Sequence, residues 1–79
     1  MSETISEAIR IEQGERIRAA RILRGITQDE LAAACRVSGA AVSGWEGGKA
    51  SPRAFLQIDV ARALDCTWFS LFGLERNAS

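Results

Sequence analysis

No histidine and no tyrosine occurs among the 79 residues. A serine or cysteine nucleophile, Ser43 and Cys35 included, therefore has no imidazole to activate it, and the usual general base is missing. The two cysteines, Cys35 and Cys66, lie far apart in sequence and form no Cys-x-x-Cys pair, so no zinc set can be assembled. Both fall in apolar slots of helical patterns and read as reduced, buried thiols. These absences exclude an enzyme and lead to the expectation of no cofactor and no metal.

The remaining chemistry is that of charge and hydrogen bonding to an anion. The formal net charge is +0, but it is segregated. Residues 1–15 carry four Glu and one Arg, a net of −3. Residues 16–53 carry Arg16, Arg18, Arg21, Arg24, Arg36, Lys49 and Arg53 against Asp29, Glu30 and Glu46, a net of +4. Residues 54–79 return to −1. A basic middle between acidic ends is a footprint for a polyanion.

The elements that position these groups are helices. Hydrophobic residues make up 47% and charged residues 25%, the balance of one folded domain. Ile17, Ala20 and Leu23 mark an amphipathic helix from Gly14 to Arg24, ended by Gly25. Thr27-Gln28-Asp29-Glu30 is a capping box, with Ile26 and Leu31 at the staple positions. The helix it opens runs to about Cys35. Ser38 caps a third helix, from Gly39 to about Glu46, which Gly47-Gly48 stops. Ser51 is placed to cap a fourth, with Pro52 at its first position and Leu56, Val60, Ala61 and Leu64 on one face. Thr67 opens a short fifth holding Trp68, Leu71 and Phe72. Only Arg36-Val37 separates the second helix from the Ser38 cap, so those two helices must cross steeply, as in a helix-turn-helix.

Residues 14–73 resemble the Cro/repressor-type (XRE-like) helix-turn-helix family found in lambdoid phage repressors and many bacterial regulators. The resemblance rests on Ile17-Arg18-x-x-Arg21 and Gly25-Ile26-Thr27-Gln28-Asp29-Glu30-Leu31-Ala32. It continues through Val37-Ser38-x-x-x-Val42-Ser43-x-Trp45-Glu46-x-Gly48, Pro52, Ala61-x-x-Leu64 and Leu71-Phe72-Gly73. It implies an all-α, compact five-helix lambda-repressor-like domain whose third helix enters the DNA major groove, as a homodimer on a near-palindromic double-stranded operator. Residues 1–13 are then an N-terminal extension, where Ile5, Ile9 and a Ser6 cap offer a further turn or two. Residues 74–79 are a tail or the start of a linker.

The resemblance also implies site residues. Gly39, Ala40, Ala41, Ser43 and Gly44 occupy the base-reading face. Thr27, Gln28, Ser38, Lys49 and Arg53 are the phosphate contacts, helped by amides of the Gly47–Ser51 loop. Arg21 and Glu46 match a structural ion pair, with Val42 and Trp45 as anchors under the reading helix. Phe55, Ile58 and Trp68 stand either at a dimer interface or in the domain's own core. Position 57 departs from the family, with Gln57 where an apolar residue is usual.

The base-reading face departs too: it holds none of the Arg, Lys, Asn or Gln side chains that make bidentate base contacts. One reading is readout by methyl contacts, close backbone approach and DNA shape. The other is a protein-interaction module of a repressor system, bound by an antirepressor or RNA polymerase, or antitoxin-like. The acidic N-terminal stretch has no signal-peptide core and no span is long enough for a membrane, so the expected location is the cytoplasm of a bacterial cell, on the nucleoid through DNA.

Overall fold

The computed structural model describes residues 2–73, with side chains from residue 6 onward. The chain order is α1 (Ser2–Arg24), α2 (Gln28–Cys35), α3 (Gly39–Glu46), α4 (Ala54–Ala63) and α5 (Trp68–Phe72), with no strand among the described residues. α2 packs on α3 and α4, α1 crosses α3 and α5, and α4 meets α5. Ile17, Leu31, Val42, Val60 and Leu64 are fully buried where these helices converge, with Trp45, Leu71 and Phe72 closing the core.

The helix boundaries follow one local device used repeatedly. At the end of α1 the amides of Gly25 and Ile26 return to the carbonyls of Ile22 and Arg21 at 2.9 and 3.3 Å. Arg36 and Val37 do the same to Ala33 and Ala32, and Asp65 and Cys66 to Arg62 and Ala61. In each case the first residue of the pair is left-handed, with φ of 72°, 60° and 55°. This double return bond satisfies carbonyls that the helix leaves open. The second residue (Ile26, Val37 or Cys66) tucks partly against the core. The third residue, Thr27, Ser38 or Thr67, then caps the next helix through its hydroxyl. At Thr27 the full capping box forms, with Glu30 returning 2.8 Å to the Thr27 amide.

Three expectations from the sequence are corrected. The first helix does not begin at Gly14: it runs unbroken from Ser2, so Ser6 lies inside it and caps nothing. The side chain of Ile5 and the tail 74–79 lie outside the described residues. Gly14 is a packing residue, because a Cβ there would sit 2.9 Å from the Glu46 carbonyl oxygen and closer still to that of Trp45. The helix passes the end of α3 backbone to backbone.

Leu23 is not on the buried face either, being 86% exposed. At 3.6 residues per turn it lies roughly 120° around from Ile17. The inward stripe is Arg10, Gln13, Gly14, Ile17, Ala20 and Arg21, with exposed Arg24 at its end, and the three arginines reach the Gly48 carbonyl, the Glu46 carboxylate and the Leu64 carbonyl.

The third correction concerns α4. It starts at Ala54, with Arg53 extended at the N-cap and making no side-chain cap bond. Ser51 gives its hydroxyl to Gln13 at 3.0 Å instead, and Pro52 is buried outside the helix. Of the two cysteines, Cys35 is buried and Cys66 only half-buried, and both are free thiols. Burial, followed by the nearby charge of Asp59, pushes the Cys35 thiol up from its ordinary pKa.

The contact at Gly14 fixes an expected outcome. Gly14→Ala forces a methyl against two backbone oxygens and should cost about 1–3 kcal/mol of unfolding free energy in urea. A stability equal to that of the wild type would show that α1 can lift off α3 freely.

Candidate nucleic-acid interface

Arg21, in the last turns of α1, organises the region. Its Nε and Nη2 donate to the two carboxylate oxygens of Glu46 at 2.6 and 3.0 Å, and its Nη1 donates to the Ile26 carbonyl at 2.9 Å. The two side chains are only 14% and 4% exposed. Gln28, the first residue of α2, donates its amide to the same carboxylate at 3.0 Å. One carboxylate thus joins the end of α1, the start of α2 and the end of α3.

Burial alone would raise the Glu46 pKa. Hydrogen bonds from Arg21 and Gln28, with the charges of Arg21 and Arg18, outweigh it and hold the carboxyl below its ordinary value. The hydrogen bond to Glu46 likewise holds Arg21 more firmly protonated, against the opposing effect of burial.

Beside this network is an open depression of about 260 Å³, lined by Arg18, Arg21, Gln28, Ser43, Glu46 and Gly47. Arg18 stands exposed on its rim with no intramolecular hydrogen bond or ion pair among the described residues. Arg18 is absent from the site residues that the family pattern implies. Its spacing three residues before Arg21 is the signal that could have found it, since that puts both on one side of α1.

The outer face of α3 is as small as its sequence implies. Ala40 and Ser43 are exposed, while Gly39, Ala41 and Gly44 are half-buried. A Cβ added at Gly44 would meet nothing within 4 Å, whereas one at Gly39 would run into the Asp29 carboxylate. Inward, Val42 and Trp45 pin the helix to the core. The hydroxyls of Thr27 and Ser38 accept from the amides of Glu30 and Ala41 at 3.0 and 3.1 Å, and each keeps its own proton to donate.

The loop after α3 offers fewer amides than the sequence implies. Gly47, Gly48 and Lys49 give theirs to the carbonyls of Ser43, Trp45 and Gly44, closing α3 with the same double return bond around left-handed Gly48. Among the described residues only the amides of Ala50 and Ser51 lack a partner in that loop. The basic middle is also partly spent. Arg16 holds Glu12 and the Ser70 carbonyl, and Arg24 holds the Leu64 carbonyl and Asp65. Arg18, Arg36, Lys49 and Arg53 have no such partner among the described residues.

On another side of the molecule Phe55, Ile58 and Trp68 are 67%, 54% and 46% exposed, with Phe69 also out of the core. The alternative that they fill the domain's own core is thereby removed. Gln57 explains its departure from the family: it accepts the Trp68 indole N–H at 2.8 Å and donates to the Pro52 carbonyl at 3.1 Å. An apolar residue there would leave both groups unpaired within the chain. Among the described residues no group of three His, Cys, Asp or Glu could hold a metal ion, and no helix is long and apolar enough to cross a membrane.

The depressed carboxyl gives a pH dependence with a definite sign. The contribution of Glu46 to stability is complete above the ordinary glutamate pKa of about 4.3 and is lost as pH falls through the lower folded value. Glu46→Gln should cost about 3 kcal/mol at neutral pH by leaving Arg21 buried without its counter-ion. It should also flatten the loss of stability below pH ~4.3, as read by denaturant unfolding at a series of pH values.

Residues 17–71 match the helix-turn-helix family model. No curated protein matches the chain at a significant level. Among solved structures, the P22 c2 repressor protein in complex with synthetic operator 9T in the presence of Tl+ is 35% identical. The match covers 76% of this chain and 91% of that one, with a TM-score of 0.74. The restriction-modification controller protein C.AhdI from Aeromonas hydrophila is 29% identical over 84% of this chain and 96% of that one, with a TM-score of 0.78. With the family model spanning well over half of the chain and a solved neighbour 35% identical over most of both chains, the chain belongs to the XRE-type helix-turn-helix family of DNA-binding transcription regulators.

Proposed function

We propose that this regulator is a transcriptional repressor of phage or bacterial origin that binds a near-palindromic operator as a homodimer and blocks a promoter by occupancy. The observation that carries the reading is the pair of unspent cations around α3. Arg18 borders the depression at one end of its outer face, beside the Gln28 amide that holds Glu46, and Lys49 stands on the loop that follows it. The P22 c2 repressor has been solved in complex with a synthetic operator, which supports the same class of partner for this chain.

In this reading α3 lies in the major groove with Gly39, Ala40, Ala41, Ser43 and Gly44 toward the base edges. Thr27, Gln28, Ser38, Lys49 and Arg53 hold phosphates, and Arg18 joins them. The absence of long side chains on α3 means that affinity comes from the phosphates. Discrimination comes from methyl contacts, one hydroxyl and the deformability of the duplex. Phe55, Ile58 and Trp68, extended by Phe69, form the dimer contact, since four large apolar side chains exposed on α4 and α5 call for a cover.

The first test is selection of binding sites from random duplex DNA, followed by titration of the recovered site at several salt concentrations. A near-palindromic site is expected. With Arg18, Lys49 and Arg53 of two protomers on phosphates, affinity should fall roughly a thousandfold between 50 and 200 mM salt. Weak binding with no enriched site would move the assignment to a protein partner, an antirepressor or RNA polymerase, on the small face of α3.

Gly44→Ala separates readout by close approach from mere tolerance of glycine. The methyl fits the free protein, so the helix should gain about 1 kcal/mol, while operator affinity should fall about tenfold if backbone approaches base there. Unchanged affinity would remove Gly44 from the readout. Ile58→Asp should convert the dimer to a monomer in sedimentation and weaken operator binding with it. A wild-type monomer at high concentration would remove the dimer.

A further inference from the structure

Residues 10–13 of α1 lie ahead of the segment matched by the family model, yet they make a built contact with the loop leaving α3. Arg10 Nε donates to the Gly48 carbonyl at 3.3 Å. Ile11 covers Gly48 so closely that a Cβ there would sit 3.0 Å from the Ile11 Cα, and Gly48 is buried although it belongs to a loop. Ser51, at the other end of the loop, donates its hydroxyl to Gln13 Oε1 at 3.0 Å. Between these fixed points stand Lys49 and Ala50, both exposed. They carry the loop's uncommitted ammonium and, with Ser51, its two uncommitted amides.

We propose that Arg10, Ile11 and Gln13 are positioning residues for DNA binding, clamping residues 48–51 so that Lys49 and the amides of Ala50 and Ser51 meet one backbone phosphate together. The proposal rests on the operator-binding reading above and adds a part that touches no DNA. A short loop entered through a left-handed glycine samples many conformers when its ends are loose, and freezing it on a ligand then subtracts from affinity. Holding both ends against a continuous helix removes that cost before the ligand arrives. The cationic charge of Arg10 is directed to a carbonyl and Gln13 is neutral, so neither acts here as an electrostatic contact.

The test is a double-mutant cycle on the selected operator, using Gln13→Ala and Arg10→Ala/Gln13→Ala, each alone and combined with Lys49→Ala. Gln13→Ala changes no charge, so its salt slope should stay that of the wild type while affinity falls about threefold. The Arg10→Ala/Gln13→Ala pair should lose about tenfold, and both losses should shrink to less than half in the Lys49→Ala background. In the free protein the amides of Gly48 and Lys49, bonded to the Trp45 and Gly44 carbonyls, should exchange hydrogen faster in both variants, with the urea midpoint of Gln13→Ala unchanged. Losses that persist in full beside Lys49→Ala, or that track a loss of global stability, would overturn the proposal. So would unchanged affinity and exchange. Failure of the underlying reading looks different: no site would be enriched and the wild type itself would bind duplex DNA weakly, whereas an enriched operator bound equally by wild type and Lys49→Ala would overturn the clamp alone.

Discussion

The carboxylate of Glu46 is the point on which the interface depends. It receives a two-pronged guanidinium from α1 and an amide from the first turn of α2, and it belongs to the last turn of α3. A bidentate arginine pair fixes direction as well as distance. The same guanidinium holds the Ile26 carbonyl in the turn before α2, so the entry to α2 and the exit of α3 are set by one planar group. Replacing the pair by apolar residues of equal volume need not weaken the fold, since desolvation offsets much of the attraction. What an apolar cluster would lack is orientation. The angle at which α3 stands against α2 is what a helix-turn-helix presents to a groove, and that angle is where this network acts.

The recurrent unit of left-handed residue, apolar residue and hydroxyl cap explains how so small a chain turns three times without long loops. Gly25-Ile26-Thr27, Arg36-Val37-Ser38 and Asp65-Cys66-Thr67 each close one helix and open the next. Arg36 and Asp65 accept a conformation that glycine adopts at no steric penalty. At Asp65 the return is visible, because its carboxylate and the preceding carbonyl both hold Arg24. At Arg36 the side chain is exposed and the stabilisation comes from the backbone bonds of the turn alone.

Most local signals were legible in the sequence, the Ser6 and Ser51 caps being the exceptions. The Thr27 box, the Ser38 and Thr67 caps, the stop at Gly25 and the short connection Arg36-Val37 each depend on neighbours within a few residues, and all form. Arg21 and Glu46 were paired through the family pattern, because nothing in the spacing of positions 21 and 46 brings them together. Long-range features stayed hidden. The role of Gly14 is written in the carbonyls of Trp45 and Glu46, the hydroxyl of Ser51 in Gln13, and the amide of Gln57 in Trp68. Leu23 was misplaced because arginines at positions 21 and 24 look like an outer face until their partners on other helices are known. The Gly47–Ser51 loop offers fewer free amides than its composition implies, because α3 consumes three of them to close itself.

α3 poses an energetic question that the scaffold answers. Eight residues with two glycines do not make a stable helix in isolation, since each glycine costs about 1 kcal/mol relative to alanine and a short helix barely repays its nucleation. Its integrity comes from outside its exposed face: the Ser38 cap, the Gly48 closure, the buried side chains of Val42 and Trp45, and the clamp on Glu46. Because all of these lie at the ends or the inner side, Ala40, Ser43 and Gly44 carry no structural duty, whereas Gly39 is kept small by the Asp29 carboxylate and Ala41 packs against the core. Side chains there can be chosen for what approaches them, and this chain has chosen almost none. An outer surface of Cα hydrogens, methyls and one hydroxyl lets a partner come nearer to backbone than any long side chain would allow. A groove lined by thymine methyls is one surface that such proximity fits.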